Sequence, residues 1–125
     1  MSSPAREGAR GPALGRVAEE QAAAALAAEG WEILGLRQRT PAGEIDLIAE
    51  RGGLLAFVEV KRRSSLIAAA QALGPRQRRR ILAAAADWLA QNPERGRAGI
   101  RFDVMIVDAA GRLRRIADAF REEEG

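Results

Sequence analysis

Apolar and polar positions change period several times along the chain, and each change marks an element. Leu14, Val17, Ala18, Ala22, Ala25 and Leu26 share a face at helical spacing, which predicts a helix from Leu14 to Glu29. Gly30 suits the left-handed stop that follows it. Residues 1–13 carry Ser, Pro, Gly and Arg without a period and read as a flexible leader. Trp31 to Arg39 reads as a first strand, weakened by Gly35, and Thr40-Pro41-Ala42-Gly43 is a turn signal. Two strand-like runs follow, Gly43 to Glu50 and Phe57 to Lys61. Arg51-Gly52-Gly53-Leu54 separates them, and Gly-Gly between such runs predicts a hairpin. Ser64 to Gly74 has no clear period; its alanines allow a short helix or a loop. Pro75 fits the first turn of a helix running to about Gln91, with Ile81, Leu82, Ala85, Trp88 and Leu89 as its buried stripe. Ile100 to Val107 alternates as a strand, Asp108 to Gly111 is a turn, and Arg112 to Ala117 predicts a last strand. The order α-β-β-β-α-β-β predicts a single α/β domain over residues 14–121, a sheet with helices packed on it. Residues 122–125 form an acidic tail.

The hairpin sets a register. Pairing outward from Gly52-Gly53 places Glu50 opposite Leu55, Ala49 opposite Ala56, Ile48 opposite Phe57 and Leu47 opposite Val58. Continued, it places Asp46 opposite Glu59 and Glu44 opposite Lys61. Directly opposed residues have Cβ atoms about 4.5–5.5 Å apart, and like charges held so close destabilise a sheet. A divalent cation between Asp46 and Glu59 would account for the pair, since Mg²⁺ is typically held by one or two carboxylates plus waters and phosphate oxygens. A one-residue shift would send the carboxylates to opposite faces. The competing reading is a solvated strand face with scattered charges.

Composition narrows the chemistry. The chain of 125 residues contains no cysteine, histidine or tyrosine. That removes disulfides, thiolate chemistry, imidazole acid–base catalysis and the usual zinc sites. Carboxylates, hydroxyls, arginine and lysine remain, an inventory suited to oxygen-ligated Mg²⁺ or Mn²⁺. Lys61 is the only lysine beside nineteen arginines. Arginine stays charged, whereas lysine is a compact point charge whose pKa moves readily. Lys61 lies two residues after Glu59, so both point to one strand face. Chance under a strong arginine bias is the plain alternative for that lysine.

The formal net charge is +3, unevenly placed. Arg76, Arg78, Arg79 and Arg80 crowd a helix start, and Arg62 and Arg63 follow the carboxylate pair. Such a patch can track a nucleic-acid backbone, although an arginine-biased surface alone would look similar. Arginines at a helix N-terminus oppose its dipole, and an incoming phosphate would offset that. No apolar run approaches the roughly 20 residues that span a bilayer. With no signal-peptide core either, a cytoplasmic protein without membrane contact is expected. Glu19, on the edge of the first helix's apolar stripe, reads first as a solvated glutamate, but would reach the carboxylate pair if that helix packs on the hairpin.

Gly43-Glu-Ile-Asp-Leu-Ile48 followed by Phe57-Val-Glu-Val-Lys61 resembles the YraN-like uncharacterised family of predicted bacterial endonucleases. Gly15-Arg-Val-Ala-Glu19, Pro75-Arg-Gln-Arg-Arg-Arg80, Arg101-Phe-Asp-Val104 and Asp118-Ala-Phe120 extend the resemblance from about Gly15 to Phe120. That family is assigned to the PD-(D/E)XK superfamily, near archaeal Holliday-junction resolvases. The resemblance implies a restriction-endonuclease-like mixed β-sheet flanked by helices. It also implies Asp46 and Glu59 as metal ligands, Lys61 as a catalytic lysine and Glu19 as an auxiliary acid. Two departures bear on substrate contacts: Arg115 stands where the family often has histidine, and Arg76 where it often has lysine.

The expectation is therefore a Mg²⁺- or Mn²⁺-dependent endonuclease that hydrolyses phosphodiester bonds in nucleic acid. DNA is favoured over RNA, and structured or branched DNA is included. Asp46 and Glu59 would hold the ion, with the Val60 carbonyl as a further ligand, and Lys61 would handle water or developing charge. Glu44 would tune or hold Lys61. Arg62, Arg63, Arg76, Arg79 and Arg80 would position the backbone without reading bases. Cutting two strands often needs two sites, which makes a homodimer an expectation. The alternatives are a nucleic-acid-binding protein that keeps the fold without cutting, and a scaffold or toxin-like partner protein.

Overall fold

Gly52 and Gly53 both take positive φ, 59° and 82°, as the tight turn between two paired strands requires. The computed structural model describes the backbone of residues 4–63 and 73–120, with side chains over 16–63 and 73–117. The strands flanking that turn are β2, Gly43–Arg51, and β3, Leu54–Arg62. Their register is the expected one from Arg51↔Leu54 to Leu47↔Val58. β1, Glu32–Thr40, precedes them and returns through Pro41-Ala42, where the Thr40 hydroxyl accepts from the amides of Ala42 and Gly43. β4, Gly99–Val107, joins β3 in parallel, and β5, Leu113–Phe120, pairs antiparallel with β4. The result is a five-stranded mixed sheet in the order β1-β2-β3-β4-β5.

A parallel neighbour demands a crossover, here carried by helix α2, Pro75–Gln91. The other helix, α1, is Pro4–Ala28. It starts well before Leu14, so the leader expected over residues 1–13 is helical backbone from Pro4 onward. Ala5, Arg6, Glu7, Ala9 and Arg10 are good helix formers, and Pro4 suits a first turn. Residues 64–72, whose helix-or-loop ambiguity the sequence left open, lie outside the described residues, as does the acidic tail.

Each helix covers one face of the sheet, so strands read as apolar on both sides. Against α2, Phe57 stacks on Phe102 at 5.6 Å and meets Trp88 edge-on at 5.8 Å. Ile81, Ala84, Ala85 and Trp88 are buried there, with Leu82 and Leu89 packed partly against them. Against α1, Ala18, Ala22 and Leu26 form the buried line at four-residue spacing. Val17 sits one residue off that line and is 46% exposed, contrary to the expected stripe. Small alanines let α1 approach the sheet closely, and Glu19 on that helix feels the charges of Asp46 and Glu44 in β2.

Candidate functional site

Alternation fails at Asp46. Leu47 and Ala49 belong to the core under α1, Ile48 to the core under α2, and Ile45 joins Ile48 rather than Leu47. The β2–β3 pairing stops at Leu47↔Val58. Beyond it, Asp46 Oδ2 accepts the Val60 amide at 2.9 Å. A side chain thus takes the place of a ladder carbonyl, and the expected backbone pairs Asp46/Glu59 and Glu44/Lys61 do not extend the ladder. The paired ladder ends there, and the Asp46 side chain bridges to β3.

Glu59 is 2% exposed. Its Oε1 lies 3.6 Å from Lys61 Nζ and 3.8 Å from Arg80 Nη2, and accepts from Gln77 Nε2 at 3.4 Å. Lys61 and Glu59 share a strand face as their spacing predicts, and the ion pair runs along β3 rather than across to Glu44. Glu59 Oε2 is buried without a partner. Glu19 is turned inward, not solvated: its Oε1 is buried without a hydrogen bond, and Arg37 Nη1 stands 3.7 Å away. Among the described residues three buried side-chain polar atoms are orphaned, and two belong to this cluster. Buried polar atoms are ordinarily paired, so two such oxygens in one cluster call for an explanation.

Burial sets the protonation. Desolvation, with repulsion from Asp46, pushes both Glu19 and Glu59 up to about 7. Desolvation also raises Asp46, opposed by the Val60 amide. Such groups are held protonated in the folded chain after the unfolded chain has released them. Stability therefore falls as pH rises from about 5 to 7 and levels above that. Glu50 and Asp108 are shifted downward by their hydrogen bonds, so their contribution is complete below this window. Thermal melts in EDTA should show a declining midpoint across it; a flat or rising midpoint would contradict the buried-acid assignment.

Arg80 is anchored rather than free. Nη1 donates to the Glu44 carbonyl at 3.0 Å, Nε to Gln77 Oε1 at 3.3 Å, and Nη2 faces Glu59. It crosses directly over Gly43, where a Cβ would come within 2.7 Å of Nη1 at a φ of +144°. Gly43→Ala should therefore displace Arg80 from Glu59 and destabilise the fold by about 1–3 kcal/mol through backbone strain. A melt indistinguishable from the parent would contradict this. Arg76 and Arg79 are exposed at the start of α2, and Arg62 and Arg63 are half-buried at the end of β3. Gln77, Gly43 and Arg37 were not singled out from the sequence. Counting back from Ile81 at helical spacing does place Gln77 on the inward face.

Among the described residues no three acidic, histidine or cysteine side chains form a ready metal cage. The donor set present is hard oxygen. Asp46 and Glu59, with an orphaned Oε2, fit an ion that takes its remaining ligands from backbone carbonyl, water and substrate. Among the described residues no helix is long and apolar enough to cross a membrane.

Fold and site together define a small α/β protein whose interrupted strand ladder holds a buried acidic cluster beside a lysine. The chain belongs to the uncharacterised protein family UPF0102, whose model matches residues 18–107. It is similar to a UPF0102 protein of Granulibacter bethesdensis, 63% identical over 89% of this chain and 71% of that protein. A second relative, from Bradyrhizobium diazoefficiens, is 50% identical over 82% of this chain and 77% of its own length.

Proposed function

We propose that this protein is a divalent-metal-dependent endonuclease acting on nucleic acid, DNA in preference to RNA. The observation that carries the reading is the meeting of Asp46 and Glu59 at a broken ladder, with an orphaned carboxylate oxygen beside the sole lysine. Mg²⁺ or Mn²⁺ held by Asp46, Glu59 and the Val60 carbonyl would supply charge to neutralise a phosphate oxygen and ease deprotonation of water. Asp46 is oriented by the Val60 amide, and Glu59 by Gln77 and Arg80. Lys61 Nζ, on the same face, orients the attacking water or meets charge as it develops on the phosphate. Glu19, raised to about 7, can hold a proton at neutrality on the α1 side. Glu44 contributes its backbone carbonyl to the anchoring of Arg80. Exposed Arg76 and Arg79, with half-buried Arg62 and Arg63, would contact the phosphate backbone.

The test is purified protein against single-stranded, duplex and branched DNA and RNA, in Mg²⁺, Mn²⁺ or EDTA. Cleavage of at least one substrate, lost in EDTA, is expected. Salt-sensitive binding with no cleavage in either metal would replace the reading with a non-catalytic nucleic-acid-binding protein. No binding at all would overturn both.

A further inference from the structure

Arg37 is the one non-glycine residue with positive φ among the described residues, at 51°. A long side chain in that region costs energy, and such conformations collect at functional sites. The register of β1 and β2 shifts between Ile33 and Gly35 and then settles into Leu36↔Leu47 and Gln38↔Ile45. Arg37 lies between those two pairs, directly across from Asp46. The two irregular residues of neighbouring strands thus face each other. The Arg37 guanidinium stands 3.7 Å from Glu19 of α1.

Arg80 and Lys61, by contrast, both face the buried Glu59. Arg80 donates to the Glu44 carbonyl and Gln77 and lies 3.8 Å from Glu59, and Lys61 lies 3.6 Å from Glu59 with its side chain only 16% exposed. The Arg37 side chain is 39% exposed, and its 3.7 Å approach to Glu19 is too long for a hydrogen bond. A guanidinium offers five donors in a fixed fork suited to two phosphate oxygens.

Resting on the endonuclease reading, we infer that Arg37 is a substrate-binding residue that grips a backbone phosphate beside the Asp46–Glu59 pair, exchanging its loose contact with Glu19 for the phosphodiester. The strained strand holds it at the rim, opposite Asp46, where the phosphate enters.

Arg37→Gly tests this, because glycine accepts the local φ and the charge is lost; Arg37→Asn, which also tolerates that region, is a second variant. Affinity for a DNA oligonucleotide is read by fluorescence anisotropy across a salt series, in Ca²⁺ as an ion for oxygen sites. Both variants should melt no lower than the parent. Both should bind about tenfold or more weakly, with a salt slope shallower by about one unit. Unchanged affinity and slope in either folded variant, while the parent binds and cleaves, would overturn the role of Arg37 and leave the endonuclease reading intact. A parent that neither binds nor cleaves any oligonucleotide would overturn the endonuclease reading, and the inference with it.

Discussion

Glu59→Gln and Asp46→Asn are each expected to remove divalent-ion binding, and cleavage with it, from a chain that still folds. Asp46 reaches Val60 just beyond the last β2–β3 pair, Glu59 is the next residue of β3, and its Oε2 is buried without a partner. Residues that merely orient metal ligands typically cost 10–100-fold in affinity when changed, so loss of a ligand should exceed about a hundredfold. Folding should survive because each amide matches its acid in shape. Burial already pushes Glu59 up to about 7, so a neutral group is well accommodated there. Asparagine keeps an oxygen that can accept the Val60 amide in place of Asp46 Oδ2. Metal titration and thermal melting check the two halves. Unchanged metal affinity in both variants would remove the pair from the site.

Lys61→Arg is expected to bind metal and nucleic acid nearly normally yet cleave at least about a hundredfold more slowly, the usual scale for lost acid–base help. Lys61 Nζ lies 3.6 Å from Glu59 Oε1 with little solvent around it. A guanidinium there keeps the charge but adds bulk and stays protonated. The chain uses arginine at every other basic position, so a requirement for charge alone would be met by arginine here too. Single-turnover cleavage separates this from a binding defect. Lys61→Met should be similarly slow. Near-normal rates in the arginine variant would show that only charge matters, and near-normal rates in both would take Lys61 out of the chemistry.

The hairpin was legible because a Gly-Gly turn and a side-chain period of two leave little freedom in register as far as Leu47↔Val58. Beyond that pair the pattern stops being informative. An aspartate side chain replaces a backbone partner at Val60, and no periodicity announces such an exchange. Glu19 lay on the border of an apolar stripe, where spacing alone left it in solvent; the close approach of an alanine-lined helix turns it inward. Arg80 was grouped with Arg76 and Arg79 by proximity in the chain, yet helical rotation sends it toward Glu59 while the other two remain exposed. Arg37 had only Gly35 as a hint of irregularity. A left-handed arginine has no sequence signature, because tertiary packing rather than propensity holds it there.

Calorimetric titration of Mg²⁺ or Mn²⁺ into the wild-type protein at about pH 8, repeated at about pH 5.5, addresses the acidic cluster most directly. Ligands must be deprotonated to bind metal, and Glu19 and Glu59 are raised to about 7. The expected result is saturable one-site binding at the higher pH and at least about tenfold weaker binding, with proton release, at the lower. No saturable binding of either ion at the higher pH would contradict the metal-dependent account.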